Sequence, residues 1–241
     1  MSEKLGCYIF TQNHGMKTIV LISAVLLSFF TFGQNNPLEE KMYKDLCNEF
    51  KQKTEKADTI VLQEAYEKVV MPYLDKWPEE KRDSVGYSIS IRMQKECPEF
   101  KQLLDRINPM DSEEIRFFDK LQKSVISDKE LQEFKDEKYF YYLFNNEPTY
   151  LIIDNGLWFE FFEDRTYSKN LMQWDDRNKF TLTFVESNNL EKKAYSREGD
   201  QYHYEIISKE NDWYWIQMAE TGGSRFVHFR IYILVKDGAD E

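Results

Sequence analysis

Apolar positions along this chain repeat with two different periods, and the change between them falls near Tyr139. Leu38, Met42, Leu46 and Phe50 recur every four residues with Cys47 beside them, the spacing of one buried helix face. A second helical stripe runs through Leu62, Ala65, Tyr66, Val69 and Val70 until Pro72, which should kink or end it. Pro78 suits the first turn of a third helix carrying Val85, Ile89, Met93 and Cys97. Pro98 opens a short fourth, with Phe100, Leu103, Leu104 and Ile107, which Asn108-Pro109 breaks. Asp111 with Glu114, and Ser127 with Glu130, have capping-box spacing and predict two further helix starts. The first would carry Ile115, Phe118 and Leu121, the second Leu131 and Phe134.

Beyond Tyr139 the period is two. Lys179 to Glu186 sets Phe180, Leu182 and Phe184 against Thr181 and Thr183, and Arg225 to Val235 sets Val227, Phe229, Ile231, Ile233 and Val235 against Phe226, His228, Arg230 and Tyr232. Further strands are predicted at 139–144, 149–153, 157–163, 167–174, 201–208 and 212–218. The joints between them are short and turn-like, as in Asp154-Asn155-Gly156, Asp175-Asp176-Arg177-Asn178 and Lys209-Glu210-Asn211-Asp212, so neighbouring strands should be antiparallel. The predicted fold class is therefore α+β: an N-terminal helical region followed by a mostly antiparallel meander sheet, as a lipocalin-like barrel or a strongly curled sheet. The corresponding segments are a helical bundle over 34–110, a helical connector over 111–138, the β domain over 139–236 and an acidic tail over 237–241.

Thr18 to Phe30 changes the picture before the bundle begins. It is thirteen residues without a charge, preceded by Lys17 and followed by Thr31-Phe32-Gly33 and the polar Gln34-Asn35-Asn36-Pro37. That is a signal peptide over 1–33 with a cut after Gly33, too short for a membrane span, and Met16 is an alternative start. No stable membrane insertion is expected after cleavage, and the localisation is periplasmic or secreted. The 241-residue chain has a net charge of −11. Removing residues 1–33 takes Lys4, Lys17 and Glu3 and leaves −12, which argues against nucleic acid and anionic lipid as partners. Of three cysteines, Cys47 and Cys97 remain. In an oxidising compartment a disulfide is the simplest reading, with two buried free thiols as the alternative.

The stretch Tyr167-Ser168-Lys169-Asn170-Leu171-Met172-Gln173-Trp174-Asp175, followed by Phe180-Thr181-Leu182-Thr183-Phe184, resembles the central hairpin of small secreted bacterial proteins with lipocalin-like barrels. A strand ends at a tryptophan, a polar turn follows, and an aromatic-led alternating strand returns. The resemblance covers residues 149–236 at most. It implies a binding or adaptor module and brings no catalytic residues with it; the long helical half in front departs from the pattern.

Candidate chemistry is sparse. His203, Glu205, His228 and Glu160 could form a composite metal site, but no metal-ligand spacing occurs, so no metal and no cofactor is expected. Gly222-Gly223-Ser224-Arg225 reads as a hairpin turn sooner than an anion cradle. Glu160, between large aromatics in Trp158-Phe159-Glu160-Phe161-Phe162, is the residue a carboxylate-dependent periplasmic hydrolase would use, although a cross-strand partner such as Arg230 would explain it without catalysis. Residues 139–235 hold 23 of the 38 aromatic residues, many on both faces of one strand. One face can fill a barrel, and the other needs a cover, for which the helical half is the obvious candidate and a ligand or partner the alternative. The expected function is an exported, non-catalytic binding or interaction protein for an apolar or aromatic small molecule or an envelope protein. Trp158, Phe162, Trp213, Trp215, Phe226 and Tyr232 are the candidate ligand-face residues. A structural envelope module with a filled barrel is the alternative.

Overall fold

The computed structural model describes residues 37–52, 55–109, 113–144, 146–220 and 225–235; the expected signal peptide, Gly222-Gly223-Ser224 and the expected acidic tail lie outside them. The helical region comprises α1 (Pro37–Phe50), α2 (Asp58–Ala65), α3 (Met71–Leu74), α4 (Glu79–Glu96) and α5 (Pro98–Ile107). Between α2 and α3 the chain widens into one π-turn over Tyr66–Val70, where the Met71 N–H bonds the Tyr66 carbonyl. Pro72 follows at once and has no N–H for an ordinary helical bond, which accounts for the irregularity. The predicted stripes converge on one core with Leu46, Val70, Ile89, Met93 and Phe100 at its centre, each 2% exposed or less. Cys47 on α1 and Cys97 between α4 and α5 meet in this core as a disulfide, S–S 2.10 Å and Cα–Cα 5.6 Å.

Eight of the nine strands are those read from the alternation: β2 (Tyr139–Phe144), β3 (Glu147–Asp154), β4 (Leu157–Phe161), β5 (Tyr167–Asp176), β6 (Lys179–Ser187), β7 (Gln201–Glu210), β8 (Trp213–Ala219) and β9 (Phe226–Ile233). Each pairs antiparallel with its neighbour in sequence, and β9 returns to pair with β2, which closes an eight-stranded barrel. The turns carry the expected chemistry: Asn155 and Gly156 both take positive φ (49° and 75°), the mirror-image turn whose twist matches a tight hairpin.

The helix expected after Asp111 is absent. Ile115–Phe118 is strand β1, paired antiparallel with the first half of β9, beside the stretch where β2 pairs with its second half. A short apolar run takes its period from what it docks against, and here that is a sheet edge. The second predicted helix is present as α6 (Asp128–Asp136), with a complete capping box: the Ser127 hydroxyl accepts the Glu130 N–H while the Glu130 carboxylate accepts the Ser127 N–H.

The strands place two helices at opposite ends of the barrel. At the end where β5 turns into β6, Phe134 of α6 packs on Phe140 (4.9 Å), Tyr214 (5.0 Å) and Trp174 (6.3 Å) and plugs the interior. At the other end, α7 (Leu190–Tyr195) bridges β6 and β7 and packs against α4. Polar clasps hold the bundle there: Lys95 donates to Asp200 (2.5 Å) and Tyr202 (2.9 Å), and Arg92 donates to the Tyr195 carbonyl (2.8 Å). Asp105 and Lys101 of α5 pair with Arg225 and Glu220 beside the β8–β9 connection. Burial would raise the carboxyl pKa values of Asp200 and Glu220. The Arg197 amide and Lys95 at Asp200, and Arg225 and Lys101 at Glu220, outweigh that and hold them low.

Candidate functional site

The middle of the barrel is filled by its own aromatic side chains. Trp158 stacks on Phe180 (5.7 Å) and Tyr204 (6.4 Å), and Trp174 meets Phe180 edge-on at 5.5 Å. The Trp158 indole N–H finds no acceptor among the described residues, so this layer is held by packing and not by polar contacts.

Above that layer the interior becomes polar. Glu160 lies two residues beyond Trp158 on β4 and shares its inward face, and its register partner on β5 is the buried Ser168. The Tyr142 hydroxyl donates to Glu160 Oε1 at 2.8 Å, and Lys192, reaching down from α7, stands 3.8 Å from Glu160 Oε2 and 3.4 Å from the Tyr142 hydroxyl. The Lys192 ammonium also lies over the rings of Phe162 (5.6 Å) and Tyr142 (6.0 Å). Burial raises the pKa of Tyr142, and the Glu160 carboxylate raises it further. Burial opposes the charge of Lys192, but the Glu160 carboxylate together with Tyr142, Tyr204 and Glu191 outweighs it and holds the ammonium above its usual pKa. Both groups therefore keep their protons throughout the neutral range. The partner expected for Glu160, Arg230, sits on the outside of the barrel with Glu114, 3.1 Å away. Alternation correctly separates Glu160 from Phe159 and Phe161, but the face it shares with Trp158 is the interior.

Over this triad a cavity of ≈ 250 Å³ opens between the β2–β3 hairpin, the β4–β5 loop and α7. Tyr142, Phe144, Thr149, Phe162 and Lys192 form its walls and floor, and Glu147, Glu163, Asp164 and Glu191 stand around it. With Lys192 matched to Glu160, the surround is acidic.

The six candidate ligand-face residues separate into three places. Trp158 is sealed in the barrel, 2% exposed, and Phe162 lines the mouth. Trp213, Trp215, Phe226 and Tyr232 lie on the outer face of β8 and β9, where Trp213 meets Tyr232 at 5.6 Å and the Arg230 guanidinium lies 5.0 Å from both tryptophan rings. The cover there is β1 and the segment after it, not the helical bundle: Arg116 lies 4.2 Å over Trp215, and the Gln122 amide donates to buried Gln217 at 2.9 Å. Tyr142, Thr149 and Lys192 were not singled out by sequence. The alternation of β2 and β3 could have flagged the first two, whereas nothing local marks Lys192 on a helix of six residues.

The two histidines are apart and engaged. His203 Nδ1 lies 2.8 Å from the Thr181 hydroxyl. His228 is buried, its Nε2 2.8 Å from Gln217 Oε1 and its ring 4.3 Å from that of Phe118. Burial, with the nearby Arg116 charge, pushes its pKa down to about 4. Among the described residues, Cys47, Cys97 and Glu99 form a close grouping of ligand-type side chains, but the disulfide takes both sulfurs out of metal chemistry. No described helix is long and apolar enough to cross a membrane. No family model matches the chain, and no curated protein or solved structure matches it.

Proposed function

We propose that this is an exported, non-catalytic binding module in the manner of the lipocalin-like proteins its central hairpin resembles, with a ligand pocket at the mouth of the barrel. The observation that carries the reading is the cavity itself: a filled, plugged barrel opens at one end into ≈ 250 Å³ with aromatic walls and a carboxylate surround. That volume lies just below the usual range of about 300–1,000 Å³ for small-molecule sites and suits a one-ring ligand. Aromatic walls and an excess of carboxylates around them together favour an apolar body carrying a basic group, because ring faces and carboxylates both attract a cation. The non-catalytic part is supported by Tyr142 and Lys192, whose raised pKa values leave neither poised to exchange a proton near neutrality. Export is supported by the Cys47–Cys97 disulfide, which fits an oxidising compartment.

Calorimetric titration with 2-phenylethylamine, 2-phenylethanol and phenylacetate tests the reading, because the three share a body and differ in charge. The amine should bind, with affinity about tenfold lower after Glu163→Gln combined with Glu191→Gln. Equal binding of all three would remove the role of the carboxylates, and no binding of any would remove the pocket.

A further inference from the structure

Strand register lines up six aromatic residues in one cross-strand row on the outside of the barrel. Trp213 on β8 pairs with Tyr232 on β9, Tyr232 with Tyr141 on β2, Tyr141 with Tyr150 on β3, Tyr150 with Phe161 on β4, and Phe161 with Tyr167 on β5. The two ends of this row are treated differently. At the β8–β9 end the chain's own charged groups meet it: the Glu114 carboxylate, just before β1, accepts from the Tyr232 hydroxyl and from Arg230, the Arg230 guanidinium lies 5.0 Å from the Trp213 ring, and Arg116 of β1 lies 4.2 Å over Trp215 in the next row. At the β3–β5 end the row stands in solvent. Tyr150 is 44% and Phe161 40% exposed, and Leu171, two pleats along, is 51% exposed. Phe159 packs on both Phe161 (4.8 Å) and Tyr167 (5.4 Å), so the rings form one continuous surface. Exposed carboxylates flank it: Glu147 at the start of β3, Glu163 just past Phe161, and Glu186 opposite Lys169.

We propose that the outer face of β3–β5 is a docking surface for an extended, arginine-bearing peptide segment of a partner protein. The other end of the same face shows the matching chemistry within this molecule, guanidinium groups against rings: Arg230 on Trp213 and Arg116, from the extended β1, on Trp215. Charge complementarity selects the same occupant, since a flanked aromatic face attracts arginine through both the ring quadrupole and the carboxylates. A second copy of the chain would set the same carboxylates against each other, and an anionic membrane would meet a molecule of net charge −11. The rings of this surface lie outside the mouth cavity, whose walls include neither Tyr150 nor Phe161, while Glu147 and Glu163 border both.

The test is NMR titration of the full chain with a labelled peptide of alternating arginine and threonine, against the same peptide with glutamate for arginine. The arginine peptide should shift the amides of Tyr150, Phe161 and Tyr167. The Tyr150→Ser/Phe161→Ser variant should bind it about tenfold more weakly, as for loss of aromatic anchors in an interface. Glu186→Gln, which leaves the apolar face intact, should weaken it about threefold and flatten its salt dependence. Equal shifts with the glutamate peptide, shifts confined to other strands, or unchanged affinity in both variants would overturn the proposal. So would self-association, or partition onto phosphatidylcholine vesicles, that Tyr150→Ser/Phe161→Ser abolishes while the arginine peptide still binds that variant.

Discussion

Tyr142 and Glu160 are joined by a 2.8 Å hydrogen bond inside the barrel, from β2 across β3 to β4, and Lys192 closes over them from α7. A carboxylate beneath an aromatic layer needs its charge matched and its lone pairs occupied, and these two groups, one from a strand and one from the capping helix, meet that need. The triad thus ties the mouth of the barrel to the helix that packs on the bundle.

Removing the acid should therefore cost more than blunting it. Glu160→Leu leaves the Tyr142 hydroxyl without its acceptor and Lys192 without its counter-charge, and is expected to destabilise the fold by about 2–4 kcal/mol. Glu160→Gln keeps an acceptor for Tyr142 and should lose about half as much. Urea unfolding of both variants measures the difference, and equal losses would show that the hydrogen bond contributes nothing apart from the charge.

The disulfide closes a loop between residues 50 apart in sequence. On the chain-entropy model, replacing both cysteines by serine should lower stability by about 4 kcal/mol. The same shift in the urea midpoint should follow when a reductant is added to the wild-type chain. A reductant effect that persists in the Cys47→Ser/Cys97→Ser variant would exclude the bridge as its cause.

Stability should also fall on mild acidification, because of His228. Its folded pKa is pushed down to about 4 from an ordinary value of 6.5. Between those values the unfolded chain binds a proton that the folded chain refuses, so stability is fully present above about 6.5 and is lost as pH falls toward 4. Below that, protonation of Asp200 and Glu220 removes the clasps on the bundle, since their folded pKa values are held low. Urea midpoints at pH 7.5, 5.5 and 4.5 should decline in order, and His228→Gln should flatten the first interval. An unchanged slope in that variant would assign the loss to other groups.

At the plugged end, Phe134→Ala empties a site walled by Phe140, Trp174 and Tyr214 and should cost about 3–5 kcal/mol. Ser127→Ala removes the acceptor for the Glu130 N–H and should cost about 1 kcal/mol. Thermal unfolding followed by near-ultraviolet circular dichroism separates the two, and equal losses would mean that α6 contributes its cap and not its ring.

The barrel was readable from sequence because its strands alternate and its joints carry turn residues. Phe180, Leu182 and Phe184 announce a buried face, and Asn155-Gly156 announces a hairpin, from local chemistry alone. β1 was not readable, because Ile115 and Phe118 are three apart and suit a helix as well as a strand; its pairing with β9, more than a hundred residues away, decides the matter. The mouth was half readable. Alternation sets Glu160 and Trp158 on one face, but strands aromatic on both sides hide which face is inside. Lys192 carries no local signal, since its position follows from where α7 caps the barrel.

One last consequence follows from β9, which touches β1, β2 and β8 at once. The ring has a single seam, and the strand that seals it is the last in chain order of the described strands. Until Ile233 is in place, β2 and β8 present raw hydrogen-bonding edges and the inner aromatic layer has no lid. Maturation is therefore a latch that shuts when β9 docks, and a cut anywhere in β9 would undo the whole ring instead of shortening it by one stave.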